Sequence, residues 1–275
     1  MDEELTLRTV DFMKRNMQAD KPFYAYVPYT QVHFPRLPNP KFAGKTGFGD
    51  FPDCLADMDV NVGRILDAVD QLGIRDNTVI VSTSDNGPDP TWPWQGCPGP
   101  RRGSYFTRME GSLRVPFIIR WPAGHIPADR LSNEIVHEVD TFTTLANIAG
   151  AQVPKDRPID GVDQTEFLLG KIDKSNREGF PVYVADRLEA VKWKNWKLVF
   201  YEKERDWWTP PAKLGVPKLF DLITDPREEY PDAGVRNTWV TEPALKIVMQ
   251  MERTLKQYPP IALGTPDPYT SPQPS

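Results

Sequence analysis

The chain has 275 residues, a formal net charge of -5, a pI near 5.4, 39% hydrophobic residues and 26% charged ones. This balance describes a folded acidic protein and argues against a nucleic-acid partner; no apolar run is long enough for a membrane span. Two cysteines, Cys54 and Cys97, are too few for a disulfide framework.

The start, Met1-Asp2-Glu3-Glu4, is acidic and unlike a signal peptide, so the sequence leaves localisation open. The 29 prolines concentrate in 22–40, 88–100 and 259–275, which calls for long ordered loops of the kind that often carry function.

Residues 5–17 place Thr6, Val10, Met13 and Met17 on one helical face. Asp20-Lys21-Pro22 ends that helix, and Phe23-Tyr24-Ala25-Tyr26-Val27 reads as a buried strand leading to Gln31-Val32-His33-Phe34-Pro35. The clearest helix starts at Asp50 or Pro52, with Leu55, Met58, Val62, Ile65, Leu66, Val69 and Leu72 at three-four spacing and Gly73 as its stop. Thr78-Val79-Ile80-Val81-Ser82-Thr83 then reads as a strand buried on both faces, ending at Ser84-Asp85-Asn86-Gly87. A second apolar run, Val115 to Trp121, follows Glu110-Gly111-Ser112-Leu113-Arg114, and Val139, Phe142, Leu145 and Ile148 mark a helix stopped by Gly150. This alternation predicts an α/β domain with a mostly parallel sheet flanked by helices over 1–160. Beyond about Gly161, short strands at 181–186, 190–193, 197–201 and 218–222 and a helix over 242–255 predict a small antiparallel-sheet subdomain over 161–257. Residues 258–275 read as a proline-rich extended tail.

Open α/β sheets place ligands at the carboxyl ends of their strands, where Asp85 and Asn86 stand. A carboxylate beside an amide carbonyl suits Ca²⁺ or Mg²⁺; the plainer reading is an Asn-Gly turn after a strand. His33 follows a predicted strand and is placed on the same sheet edge, whereas His125 follows a strand beyond a Pro-Ala-Gly turn and His137 precedes a helix with no evident partner. Arg101 and Arg102 offer a fork for an oxyanion or a solvated basic turn. Trp92, Trp94, Trp207 and Trp208 would line a cleft or pack the proline loops.

In order and spacing, the chain resembles the sulfatase family of the alkaline-phosphatase-like superfamily. The matching stretches are Lys21-Pro22-Phe23 through His33-Phe34-Pro35; Met58-Asp59-Val60-Asn61-Val62-Gly63-Arg64; Ser84-Asp85-Asn86-Gly87; Glu110-Gly111-Ser112-Leu113-Arg114-Val115-Pro116; Val139-Asp140-Thr141-Phe142; and Phe220-Asp221-Leu222 with Asp225-Pro226. The resemblance implies hydrolysis of a sulfate ester, on a small molecule or a glycan, beside one divalent cation, usually Ca²⁺. It gives Asp85 and Asn86 as cation ligands and His33 as a donor to a sulfate oxygen. It also implies a formylglycine nucleophile made from the cysteine (or serine) of a Cys-x-Pro-x-Arg signature.

The sequence departs from that pattern in one region. Paired aspartates, the Cys-x-Pro-x-Arg signature and a Lys-x-His pair, which the family carries near its N-terminus, are not among these residues. Cys97-Pro98-Gly99-Pro100-Arg101 has glycine where the signature needs proline and follows the Asp-Asn pair instead of preceding it. The family's later substrate lysine falls at Tyr105, which leaves Arg102 as the candidate positive charge. The chain is therefore expected to correspond to the C-terminal portion of a sulfatase, inactive alone, with exposed edges that favour the remaining portion or a second copy as partner. The alternative is a catalytically silent binding module.

Overall fold

The computed structural model describes residues 1–89, 96–202, 209–232 and 236–266. Trp92, Trp94, Trp207 and Trp208, the expected cleft aromatics, lie outside the described residues, as does the tail from 267 onward. Two helices open the chain, α1 (Asp2–Gln18) and α2 (Asp50–Gln71). Their apolar stripes meet in a core of Met13, Ala68 and Val69, packed by Val10, Phe23, Ile65, Leu72 and Ile80. Gly73 follows α2 at φ 69°, the left-handed position expected of a helix stop.

The polar side of α2 is covered as well, by loops that its carboxylates organise. Buried Asp53 accepts the backbone N–H groups of Gly44 and Thr46 at 2.6 and 2.9 Å. Asp57 accepts the N–H of Asn39, and Arg64 reaches Glu3 on α1. A carboxylate with two or three N–H donors fixes a loop much as a strand ladder would.

Residues 23–27 differ from the sequence expectation. They form no strand, because no neighbouring strand among the described residues offers them a ladder. Strands β1 (Ile80–Thr83) and β2 (Phe117–Arg120) pair antiparallel, with Ile80 opposite Arg120 and Thr83 opposite Phe117. Parallel pairing is thus absent from this part of the described chain. Nor is β1 buried on both faces: Ile80 and Val81 are half-buried, while Ser82 and Thr83 are exposed. Helix α3 (Glu110–Leu113) precedes β2; α4 (Asp140–Ile148) and α5 (Thr165–Leu168) follow it.

The expected antiparallel subdomain is present, with each strand within a few residues of its predicted place except β6, which starts earlier. Strands β3 (Gly179–Val184), β4 (Arg187–Trp193), β5 (Trp196–Glu202) and β6 (Ala212–Asp221) run in sequence order, and α6 (Thr241–Gln257) packs on one face. Alternation along the strands assigns the faces. Val191 and Leu198 join Leu219, Val240, Ala244 and Val248 beneath α6. Ala190 and Val199 turn the other way, towards Val182, Phe220 and Leu222.

Lys192 and Lys197, direct cross-strand partners, also turn that other way, and their face is not solvent. It is closed by the segment around α3. Lys197 is 0% exposed; its ammonium pairs with Glu110 at 2.8 Å and Glu228 at 3.0 Å and donates to the Arg108 carbonyl at 3.0 Å. Lys192 reaches the Glu110 carboxylate at 2.7 Å, as does Arg114. The second Glu228 oxygen accepts the Glu110 backbone N–H at 2.7 Å. Arg108, 1% exposed, donates to the Tyr201 carbonyl of β5. A second tie joins the halves at Asp140, which accepts Arg177 through both its Nε and Nη2 and also the N–H groups of His137 and Val162.

Burial alone would push the Glu110 carboxyl up, but Lys197 and Lys192 outweigh it and hold the group below the ordinary carboxylate range. Burial pulls the Lys192 ammonium down to about 8 against the attraction of Glu110. Replacing Lys197 by Met leaves two buried carboxylates facing each other with one cation fewer; the expected cost is about 3–5 kcal/mol, read from the urea midpoint. An unchanged midpoint would show that the network does not hold the halves together. Because Glu110 binds its proton less readily folded than unfolded, its contribution is full above the unfolded carboxylate pKa. That contribution drains as pH falls through this value towards the lower folded one. Acid titration of stability is expected to be shallower in Glu110→Gln than in the parent chain.

Candidate active site

The Asp85-Asn86 pair follows β1 and sits on a tightly packed seat. A Cβ on Gly87 would lie 1.9 Å from the Gly111 carbonyl oxygen, so only glycine fits there. Gly87 N–H donates to the Ser112 carbonyl at 2.8 Å, and Tyr105 N–H donates to the Pro88 carbonyl at 2.8 Å. Gly111 is equally confined: its N–H donates to the Arg102 carbonyl at 2.8 Å, and an added Cβ would meet that same oxygen at 2.5 Å. Backbone thus packs on backbone from residue 86 to 88 and from 102 to 112. The sequence reading credited Gly87 with a sharp turn; the structure gives close approach as its reason.

Above this seat Asp85 is exposed and Asn86 half-buried. The Asn86 amide nitrogen donates to the Gly87 carbonyl at 2.8 Å, which turns its amide oxygen away and leaves it available as an acceptor. Glu138 stands close enough for the Asp85 charge to act on it; covering by protein, then Asp85, push its carboxyl up, although the residue as a whole is exposed. Calcium takes about six to eight oxygen ligands. Asp85 and Asn86 offer part of such a shell, and among the described residues no group of three or more His, Cys, Asp or Glu gathers to complete one. The pair therefore fits a share of a hard-cation site and does not make one alone.

His33 lies in an exposed loop beside a cavity of about 480 Å³ lined by Asp2, Glu3, Thr30, Asn39 and Asp57 among others. Its Nδ1 is 2.6 Å from the Phe34 carbonyl. A carbonyl only accepts, so Nδ1 carries the proton and Nε2 faces outward. Buried Asp2 steadies this loop by accepting Thr30 N–H, Thr30 Oγ1 and Gln31 N–H. Neither Asp85 nor Asn86 lines the cavity, and among the described residues no shared sheet edge joins them to His33. The two loops meet one step away, where buried Arg36 pairs with Asp89 at 3.5 Å and lies over the Phe51 ring.

Arg102 is turned inward. Its Nη2 donates to the Glu228 carbonyl at 2.7 Å, and its Nε is buried. Arg101 is half-buried; covering by protein, then neighbouring Arg114, lower its pKa. His125 is exposed in a turn, at φ 57°. His137 does have partners: its N–H bonds Asp140 and its ring meets Phe180 edge to face at 4.9 Å. Cys97 is a free, exposed thiol, and Cys54 is buried with its pKa pushed up to about 11, first by burial. Sequence reasoning did not single out Glu228, Lys192, Lys197 or Arg108, although these support the seat. The signal available was charge at strand positions flanked by apolar residues, 190–199, which reads by default as a solvated face.

Comparisons with known proteins point to one family. The family described as Sulfatase matches residues 1–151, and the family described as N-sulphoglucosamine sulphohydrolase, C-terminal, matches residues 105–259. The chain is 33% identical over 261 residues to the steryl-sulfatase of Rattus norvegicus, covering 84% of this chain and 44% of that protein. It is 32% identical over 225 residues to the N-acetylgalactosamine-6-O-sulfatase of Bacteroides thetaiotaomicron, covering 76% of this chain and 43% of the relative. The crystal structure of the PsFucS1 sulfatase from Pseudoalteromonas sp. superposes with a TM-score of 0.89 at 29% identity, over 96% of this chain and 55% of that one. A structure in complex with its substrate, D-glucosamine-2-N,6-O-disulfate, matches with a TM-score of 0.52 at 25% identity, over 76% of this chain and 40% of that one. The chain spans about half the length of the curated relatives it matches.

The confinement of Gly111 leads to a test that needs no catalysis. Gly111→Ala forces backbone apart at the seat of Asp85-Asn86 and is expected to cost about 1–3 kcal/mol, lowering the melting midpoint by several degrees. Gly215→Ala, where an added Cβ meets nothing within 4 Å and the backbone, as at Gly111, stays out of the left-handed region, serves as the control without a packing clash. Equal losses in the two variants would remove close packing as the explanation.

Proposed function

The chain belongs to the sulfatase family, hydrolases acting on sulfuric esters, and from that premise we propose that it supplies the Asp-Asn half of a site that hydrolyses a sulfate ester. The observation that carries this reading is the Asp85-Asn86 pair itself. An exposed carboxylate and an amide oxygen without a hydrogen-bond donor among the described residues are held at a strand end by backbone packing that admits no side chain at Gly87. Preorganised groups of this kind are what charge development on a transferring group requires.

Each residue then has a task. Asp85 and Asn86 would contribute oxygens to a Ca²⁺ or Mg²⁺ ion, which when bound stabilises negative charge on the sulfate; among the described residues no group gathers to complete the shell. His33, with Nδ1 committed to the Phe34 carbonyl, donates from Nε2 to a sulfate oxygen when its ring is protonated. Arg102, whose Nη2 is committed to the Glu228 carbonyl, would add its positive charge from behind the seat and not by direct contact with the substrate. The nucleophile of this reading is a formylglycine, and neither Cys54 nor Cys97 stands in the Cys-x-Pro-x-Arg setting that yields one. We therefore assign residues 1–160 to the later part of a catalytic α/β domain, 161–257 to a supporting subdomain and 258–275 to a tail. The overlap of the two matched families over residues 105–151 supports treating α3 as the joint between the parts.

The substrate is proposed to be a sulfate ester of a small molecule or a glycan. The second reading, a silent binding module, rests on the missing nucleophile signature in this sequence. The two separate when this chain is joined to a nucleophile-bearing sulfatase segment and assayed on 4-nitrophenyl sulfate and on N-acetylgalactosamine-6-sulfate. Hydrolysis of either supports the enzyme; no hydrolysis, with formylglycine present by mass spectrometry, supports the silent module. Within an active protein, Asp85→Ala, Asn86→Ala and His33→Ala should each lower kcat/KM by about a hundredfold or more. Asp85 and His33 are exposed, so Asp85→Ala and His33→Ala should leave stability within about 0.5 kcal/mol. Parental turnover in Asp85→Ala and His33→Ala would overturn these roles.

A further inference from the structure

The tight turn between β4 and β5, Lys194-Asn195, sets Trp193 and Trp196 directly opposite each other on the α6 side of the sheet. Trp239, in the helical turn Thr238–Val240, meets both edge to face, with ring centroids 5.9 and 6.1 Å away. Trp193 and Trp196 are half-buried and cap the core; Trp239 is 58% exposed. The rim is polar. The Trp239 indole N–H donates to Asn237 at 3.2 Å, and the Trp193 indole N–H donates to Glu178 at 3.4 Å. Lys194 stands 4.8 Å from the Trp193 ring centroid and pairs with Glu178 at 3.2 Å.

We infer that this indole shelf binds one face of a neutral saccharide ring. Core closure accounts for Trp193 and Trp196 but not for an indole left mostly in water. Stable protein interfaces cover about 800 Å² on each partner, whereas a wholly buried aromatic side chain contributes only about 150–250 Å². With Trp193 and Trp196 already half covered, the three indoles by themselves fall well short of such an interface and match a single sugar ring. A flat, electron-rich ring face suits the slightly positive C–H face of a pyranose. Glu178 and Lys194, exposed at the rim, are placed for its hydroxyl groups, while Asn237, held between the Trp239 indole and Asp232, fixes the Trp239 ring. Glu178 and Lys194 cancel in charge, so no cationic surplus favours a sulfated ring, and binding should depend little on salt.

The inference is independent of the reading of Asp85 and Asn86, because binding is measured without turnover. The full chain is titrated with cellohexaose, galactohexaose and mannohexaose while the indole ¹H–¹⁵N signals are followed. At least one sugar is expected to shift the Trp239 signal together with that of Trp193 or Trp196, at low and at high salt. Trp239→Ala should weaken binding about tenfold or more, Trp239→Phe should retain part of it, and Asn237→Ala, which removes no indole, should weaken it less than Trp239→Ala. Absence of shifts with all three sugars overturns the proposal, as does undiminished binding in Trp239→Ala. Concentration-dependent dimerisation that Trp239→Ala abolishes would reassign the shelf to a second copy of the chain and likewise overturn it.

Discussion

The buried charge cluster of Glu110, Lys192, Lys197 and Glu228 is the interaction on which the rest of the structure depends. It joins a strand pair of the C-terminal sheet to the short helix α3, and each partner is nearly or wholly removed from water. Charges in such a place are costly to strip of solvent, and they are stable only while every partner remains. Glu228 shows how closely the cluster is drawn. One carboxylate oxygen takes Lys197, the other takes the Glu110 N–H, and its carbonyl takes Arg102.

From α3 the constraint passes to the candidate site through backbone alone. Gly111 and Ser112 pack on Gly87, and Gly87 is the residue next to Asn86. No long side chain intervenes that could change rotamer and relax. A strand pair more than a hundred residues downstream thereby fixes where a carboxylate and an amide oxygen are presented. Interiors transmit such displacement because they are packed at crystal density.

The N-terminal half uses carboxylates differently. Asp2, Asp53, Asp57 and Asp140 each accept backbone N–H from a loop, and the proline-rich stretch 22–40 is held by those of Asp2 and Asp57. The Asp140 carboxyl illustrates the balance: burial alone would raise its pKa, and the bonds from Arg177, Val162 and His137 bring it below the ordinary range. Long loops hold their shape here through side-chain acceptors where no ladder is available.

Periodicity by itself determined α2, α4 and α6, because an amphipathic pattern depends only on which face meets the core; the close spacing of short strands with no helix between them determined the antiparallel sheet. The order of short motifs determined the family and pointed to Asp85, Asn86 and His33. Tertiary structure decided what local pattern does not encode. Residues 23–27 have strand composition and pair with no strand among the described residues, since a strand exists only with a neighbour. Lys192 and Lys197 look like a solvated face in sequence and are buried, because their partners Glu110 and Glu228 lie 82 and 31 residues away. Gly87 reads as a turn glycine, yet it is confined by the carbonyl of a residue in another segment. In each case the deciding contact is distant along the chain, and only the fold brings it within reach.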